Sequence, residues 1–579
     1  MSKKLLQINV TANWGSTGKI AEQIGLLAME RGWESYIAYG RMMNPSKSKL
    51  IKIGTQWDVY RHYAEGRFLD REGLASRKAT KDFLKVVDEI RPDIVHLHNI
   101  HDHYMNYPLL FRYLSEKKVP VVWTQHDQWA TTGHCALTLV GCEKWKTECR
   151  DCPVQERWAI DRSKRNYELK KKLFTSLESL TIVPVSEWLG GEIKQSFLKN
   201  CLMRVIHNGI DLDVFKPRPT DVRQKYGLGD KKIILGVASE WSERKGLKDL
   251  FHLAKMLPRN EYVIVIVGKV LGGKQDLSEG CCRMVFIERT QNQLELAQMY
   301  SAASVFVNPT YQDNYPTTNL EAMACGTPVI TYNTGGSPEA VDKETGAVVK
   351  QGDVERLAEE AVRLSNGDYS EKCRKRAELL FDKSGAYNQY VKLYNKLLGG
   401  GKLYLNSRDK GLTVVLGVAS VWSKSKGLMD FIELSKRDDL LVVMVGVSDS
   451  VRKILPSEIV AISRTQNQQE MAMLYSLADV FVNPTYADMF PTVNLEAIAC
   501  GTPVITYRTG GSPEAVSPET GWVVEQGDVA KIAEIIKSFK VTGNGEILAQ
   551  RAACRKRAEQ EFDKDKRFEK YMELYEGLL

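Results

Sequence analysis

Hydrophobic positions along this chain follow two alternating periods. Short apolar runs at residues 5–10, 93–97 and 119–124 have strand length. After the first run the chain turns at Gly15-Ser-Thr-Gly18. Ile20, Ile24 and Leu27 then share one helical face, and Gly32 stops the helix. Further strands are predicted at residues 233–237, 262–267, 305–308 and 329–331, with helical patterns between them. This alternation implies parallel sheets covered on both faces. Such sheets bind ligands at the carboxyl ends of their strands.

Comparing the chain with itself reveals a repeat. Residues 303–354 align without gaps on residues 478–529, with 41 identities in 52 positions. Leu235-Gly-Val-Ala-Ser matches Leu416-Gly-Val-Ala-Ser, and Cys373-Arg-Lys-Arg-Ala-Glu matches Cys554-Arg-Lys-Arg-Ala-Glu. A module therefore occurs twice, near residues 232–398 and 413–579. Gly399-Gly-Gly-Lys opens a short flexible linker between the copies. The expected organisation is an N-terminal domain over 1–215, a module over 216–398, a linker over 399–412 and the module copy over 413–579. Each of the three domains should be α/β and Rossmann-like.

Composition narrows the class. The 579 residues exceed the roughly 250–300 that one core normally holds, in keeping with several domains. With 43% apolar and 26% charged residues the chain is ordinary globular material, not disordered, collagenous or coiled-coil. No apolar run reaches the roughly 18–20 residues of a membrane span. The first ten residues turn polar too soon for a signal peptide, so a cytoplasmic protein is expected. The net charge of +8 is dispersed and no nucleic-acid motif occurs, so no nucleic-acid partner is expected. Arg162, Lys164, Arg165, Lys170, Lys171 and Lys172 form one local cluster. It reads either as a solvated helix face or as a contact for anionic lipid at the inner membrane.

Residues 308–330 hold the densest chemistry. A strand ends at Asn308, a polar loop carries Asp313, and a helix opens near Thr317, which can cap it. A helix N-terminus at the strand ends offers free N–H groups and a positive dipole end, which suits a diphosphate. Asp313 and Glu321 flank it as acceptors for sugar hydroxyls. Arg244 and Lys245, just before Gly246, are adjacent cations able to pair with the same diphosphate. Taken singly, each has a plain reading: a loop acid, a helix acid, a surface Arg-Lys pair, and a tight turn at Gly15 and Gly18. Six of nine histidines, His96, His98, His101, His103, His126 and His134, lie within 39 residues. Their spacing is not a standard helical zinc motif, and His62, His207 and His252 read as structural.

Together these passages resemble the family 4 glycosyltransferases, which have the GT-B fold: two Rossmann-like domains facing a cleft. The resemblance rests on the Asp313-x7-Glu321 spacing, on the passage through Gly335-Gly-Ser-Pro-Glu339 and on residues 205–211 before the crossover between domains. It covers residues 1–398 as one complete enzyme. Residues 413–579 look like a second donor-binding domain without its own N-terminal domain, a departure from the family. The resemblance implies that Glu321 binds the nucleotide ribose, that Asp313 contacts the donor sugar and that Lys245 holds the diphosphate. The family's earlier Arg is replaced near Ser239, with Arg244 the candidate substitute. Gly15 and Gly18 would face the donor phosphates, and Thr290, Asn292, Thr318 and Asn319 join the donor side. His126 would sit beside the donor sugar, with His98 and Asn99 on the acceptor side. Lys426, Asp488 and Glu496 are the counterparts in the second copy.

The implied activity is retaining transfer of a sugar from a UDP- or GDP-sugar to a glycan or lipid-linked acceptor, in bacterial surface polysaccharide synthesis, without a catalytic cofactor. The alternative is a non-catalytic nucleotide-sugar-binding or scaffold protein derived from such an enzyme. The passage from Thr124-Gln-His-Asp-Gln-Trp to Cys149-Arg-Asp-Cys152-Pro resembles a subgroup of bacterial exopolysaccharide glycosyltransferases. It carries Cys135, Cys142, Cys149 and Cys152, whose spacing suits a structural zinc bound by four thiolates. Free thiols and disulfides are the other two readings.

Overall fold

The computed structural model describes residues 2–138, 141–153, 160–270, 281–398, 412–465, 468–538 and 544–578. The expected linker therefore lies outside the described residues, apart from residue 412. The chain divides into two compact units, Met1–Lys392 and Leu393–Leu579.

The first unit holds two parallel sheets. Strands β1 (Lys4–Asn9), β2 (Glu34–Tyr39), β3 (Lys49–Lys52), β4 (Ile94–Leu97), β5 (Val121–Gln125), β6 (Leu180–Pro184) and β7 (Leu202–Met203) pair in the order β3-β2-β1-β4-β5-β6-β7. Strands β8 (Lys232–Trp241), β9 (Tyr262–Val270), β10 (Arg283–Ile287), β11 (Val305–Asn308), β12 (Val329–Tyr332) and β13 (Gly346–Val349) follow in the order β10-β9-β8-β11-β12-β13. Central strands such as β5 and β12 are buried along their whole length, because helices cover both faces. Strand β8 runs further than its apolar core suggests: a bulge between Val237 and Glu240 lets it resume pairing with β9 up to Trp241.

The chain crosses between these sheets and returns. Ile210 bridges to Asp382, with the Ile210 N–H donating to the Phe381 carbonyl at 2.8 Å and the Lys383 N–H to the Ile210 carbonyl at 3.0 Å. On the helix that opens at Lys383, Tyr390 meets the first sheet, where the Thr124 hydroxyl donates to its hydroxyl at 3.0 Å. Asp211 pairs with Lys383 at 2.6 Å in this seam, a structural task.

The second unit repeats the second sheet. Strands β14 (Thr413–Val418), β15 (Leu440–Val445), β16 (Val460–Ile462), β17 (Val480–Asn483), β18 (Val504–Tyr507) and β19 (Gly521–Val524) pair in the order β16-β15-β14-β17-β18-β19.

The basic cluster does not form one face. Lys170, on the helix Ser163–Phe174, is buried; its ammonium lies 3.5 Å from the centre of the Trp129 ring and donates to the Trp129 carbonyl at 2.7 Å. Burial pulls its pKa down to about 7. Lys164 pairs with Glu148 at 2.9 Å. Among the described residues, no helix is long and apolar enough to cross a membrane.

Candidate active site

In each sheet the strand order reverses between the first and fourth strands, and a crevice opens there at their carboxyl ends. In the second sheet these strands are β8 and β11. After β8 comes a single turn, Glu243–Lys245, and then Gly246 at φ +75°. A side chain at Gly246 would collide with the Pro309 carbonyl, so the loops after β8 and β11 touch backbone to backbone. The Tyr311 N–H donates to the Arg244 carbonyl at 2.8 Å, and the Arg244 guanidinium donates to the Gln312 carbonyl at 3.1 Å. Lys245 reaches across to the Asp313 carboxylate at 2.6 Å. Gly335, at φ +54°, packs its backbone on the Asp313 carbonyl, where a Cβ would not fit.

The helix Thr317–Ala324 starts beside this pair. Thr317 is not the cap that its position suggests. Pro316 holds that place and no side chain caps the helix. The N-terminal end is therefore open at Thr317 and Thr318, both half-buried. Asn319 is tied into the framework instead. It is fully buried, its N–H bonds the Pro316 carbonyl at 3.2 Å, and its side-chain oxygen accepts from Asn308 at 2.8 Å. One turn on, Glu321 accepts a hydrogen bond from the Tyr300 hydroxyl at 3.1 Å. Burial pushes its carboxyl up to about 7, against the lowering effect of that bond. Thr290 lies half-buried in the loop after β10. Asn292 caps the helix Gln293–Ala302, accepting from the Glu295 N–H at 2.9 Å, so its side-chain oxygen is already engaged.

Across the cleft, the loop after β1 enters the helix Gly15–Glu30, whose N-terminus carries no side-chain cap. Gly15 takes φ +66°, and Gly18 has no space for a Cβ beside the Thr11 hydroxyl. After β4 and β5 come stacked histidines. His98 Nδ1 lies 3.1 Å from His126 Nε2, and His98 Nε2 lies 3.1 Å from the Gln7 side-chain oxygen. His98 is buried, so it supports His126 from beneath rather than lining an acceptor surface. Asn99 is half-buried, its carbonyl accepting from the Tyr104 hydroxyl at 2.8 Å. Burial lowers the His126 pKa to about 4, which keeps the imidazole neutral near pH 7. His101 is different: burial disfavours its charge, but Asp127 at 2.8 Å and Asp102 at 3.5 Å hold its pKa well above the ordinary value.

Three ties join the two sides within the first unit. Asn314 donates to the His126 carbonyl at 2.8 Å, and Gln312 donates to the Thr138 carbonyl. Glu339 accepts from the N–H groups of Glu187 and Trp188 at 2.9 and 2.8 Å, at the start of the helix Glu187–Lys194, and from His207 at 3.0 Å. Between the sides lies a pocket of about 250 Å³, bordered by Trp145, Trp188, Glu192, Tyr311 and Gly335. Sequence reasoning missed Asn314, Tyr300 and the interdomain task of Glu339. None has a spacing signal, since their partners lie 21 to 188 residues away.

The second unit keeps the inner half of this arrangement. Lys426 pairs with Asp488 at 2.6 Å, and the Tyr475 hydroxyl donates to Glu496 at 2.9 Å. Ser425 stands at the place of Arg244, and Ala487, Met489 and Phe490 stand at those of Gln312, Asn314 and Tyr315. Met489 is 90% exposed.

Two family models match the chain. Glycosyl transferases group 1 matches residues 220–379 and again 407–561, more than half of the chain, and Glycosyltransferase Family 4 matches residues 27–214. The colanic acid biosynthesis glycosyl transferase WcaC of Escherichia coli (strain K12) is 24% identical over 419 residues, covering 68% of this chain and 100% of WcaC. A D-inositol 3-phosphate glycosyltransferase of Mycobacteroides abscessus is 33% identical over 156 residues, 25% of this chain and 35% of that protein. The solved structure of a sucrose-phosphate synthase from Thermosynechococcus elongatus matches with a TM-score of 0.51 at 18% identity, covering 69% of this chain and 100% of that one. That likeness concerns the fold.

Proposed function

The chain belongs to the group 1 glycosyltransferases and has the GT-B fold with a third Rossmann-like domain; on that premise we propose that its first module and N-terminal domain transfer a hexose, with retention of configuration, from a UDP- or GDP-sugar to a glycan or lipid-linked acceptor. The likeness to WcaC favours surface polysaccharide synthesis as the setting. The observation that carries the reading is that Asp313 pairs with Lys245 while its neighbour Asn314 bonds the His126 carbonyl across the cleft.

The donor diphosphate takes Lys245, Arg244 and the open N-terminus at Thr317 and Thr318, where fixed donors stabilise the charge of the departing phosphate. The helix N-terminus at Gly15 and Gly18 faces it from the other domain. Glu321, when ionised, accepts from the ribose hydroxyls, and Asp313, released by Lys245, accepts from the sugar. Neutral His126 holds a sugar hydroxyl without placing a charge beside it. The bond from the anomeric carbon to the diphosphate oxygen breaks as the bond to the acceptor oxygen forms on the same face. The acceptor proton passes to the departing phosphate. The protein supplies orientation and electrostatics.

Contact with the membrane fits the helix Gln56–Leu69 better than the basic cluster. This helix exposes Trp57, Tyr60, Tyr63 and Phe68, an aromatic set suited to the membrane interface.

The test is a pair of double variants. Lys245→Ala with Glu321→Ala should abolish transfer, whereas Lys426→Ala with Glu496→Ala should leave most of it. The reverse outcome would hand catalysis to the second module.

A further inference from the structure

The four cysteines at residues 135–152 do not meet as a set of four. Cys135 and Cys152 lie with His134 in one group of donor atoms within 4.8 Å of one another, and His134 shares a second such group with Asp70 and Asp161. We propose that His134, Cys135, Cys149 and Cys152 bind one zinc ion, that Asp70 orients His134, and that Cys142 stands outside the ligand set.

The geometry of His134 carries the assignment. Its Nε2 lies 3.1 Å from Cys152 Sγ, while its Nδ1 faces the Asp70 carboxylate at 3.2 Å. A metal-binding imidazole is ordinarily held in this way, one nitrogen toward the ion and the other on a carboxylate that fixes its tautomer. In a zinc tetrahedron with Zn–S of about 2.3 Å and Zn–N of about 2.0 Å, neighbouring donor atoms stand roughly 3.5–3.8 Å apart. His134, Cys135 and Cys152, already within 4.8 Å of one another, need only small side-chain adjustments to reach that spacing, and Cys149 must move in to complete the set.

The backbone supports the same set. The Gly133 N–H donates to Cys149 Sγ at 3.3 Å, which holds that sulfur against the residue preceding His134. The Cys152 N–H donates to Asp161 at 2.9 Å and fixes the end of the Cys149-x2-Cys152 knuckle. Cys142 neighbours Cys149 but is not in the group of donor atoms around His134. Its carbonyl accepts from the Trp145 indole at 3.0 Å, and the residue borders the 250 Å³ pocket. Three thiolates and an imidazole are a borderline-soft, tetrahedral donor set, which selects zinc over the hard cations. With four protein ligands the ion has no open position, so its role is structural.

Asp70 explains what the ion would secure. It ends the helix Gln56–Leu69 in a left-handed turn, and its carboxylate also accepts from the Arg162 N–H at 2.7 Å. The ion would pin the segment bearing Thr138 and Trp145, one wall of the cleft, to the body of the N-terminal domain.

The test uses the full chain and the metal alone. Protein purified without chelators should carry about one zinc per chain. Exchange for Co²⁺ should give tetrahedral absorption with the charge-transfer intensity of three thiolates. Cys142→Ser should keep the metal and the spectrum. Asp70→Asn should weaken zinc about 10- to 100-fold in a chelator competition. His134→Ala should weaken it at least as much, with circular dichroism checking the fold. If a variant fails to fold, the wild-type cobalt spectrum still decides between three thiolates and four. Absence of zinc uptake, a four-thiolate spectrum, or loss of metal in folded Cys142→Ser would overturn the assignment.

Discussion

Glu321→Gln should make the first unit more stable and worse at its task, with the balance set by pH. In the folded protein the Glu321 carboxyl is pushed up to about 7 from an ordinary 4.5, chiefly by burial. A group with a raised folded pKa adds stability that is complete below its unfolded pKa. That stability is lost as pH rises through the folded value. Over a rise from pH 5 to pH 9, the linkage predicts a loss of about 2–3 kcal/mol from this one group, at roughly 1.36 kcal/mol per pKa unit. Glutamine keeps an oxygen for the Tyr300 hydroxyl at the same place but cannot ionise. Urea unfolding of the wild type and Glu321→Gln at pH 5 and pH 9 isolates the effect, because all other titrations cancel in the comparison. The variant should gain about 2–3 kcal/mol on the wild type between these values. Its affinity for a nucleotide donor should fall, since the ribose loses a charged acceptor. Equal pH dependence of the two proteins would refute the account of Glu321 as a desolvated carboxylate kept for ligand binding.

His126→Ala should cripple transfer while nucleotide affinity, read by calorimetry, stays within a few-fold. A loss as severe as that of Glu321→Ala would misplace His126. Glu339→Gln should destabilise the first unit by about 1–3 kcal/mol at pH 7, because three donors lose a charged acceptor. Burial opposes the charge of Glu339, but His207 and the two backbone N–H groups hold its pKa below the usual range. Its advantage over glutamine should therefore persist above the ordinary carboxylate range and fade as pH falls through the lowered value; an unchanged variant would argue against the tie. Trp57→Ser with Phe68→Ser should reduce sedimentation with vesicles rich in anionic lipid and leave transfer to a soluble acceptor unaffected. Equal sedimentation would remove that helix as the contact.

The buried strands were legible because runs such as Val305–Asn308 and Val329–Tyr332 are mostly apolar and fully buried. Edge strands were not. Lys49–Lys52 has charged ends, and Leu202–Met203 is two residues long. The repeat exposed Asp313 and Glu321, since both recur at the same offset in the second copy. Tertiary facts stayed hidden. Lys170 looks like its charged neighbours until Trp129, 41 residues away, is brought beneath it. His134 reads as one more histidine until Asp70, 64 residues earlier, meets its Nδ1. Pro316 displaces Thr317 as the cap by a single residue, a boundary shift that pattern reading does not resolve.

The ion pair of Lys245 and Asp313 has a bearing on selectivity. At 2.6 Å, with both side chains about a fifth exposed, each group already satisfies the other. An anion that takes the lysine away from the aspartate leaves a carboxylate in need of a new donor. A nucleotide-sugar brings an anion and a hydroxyl together, so it can part the pair and answer both halves. Under the proposed function, the pair favours a ligand that answers both halves at once.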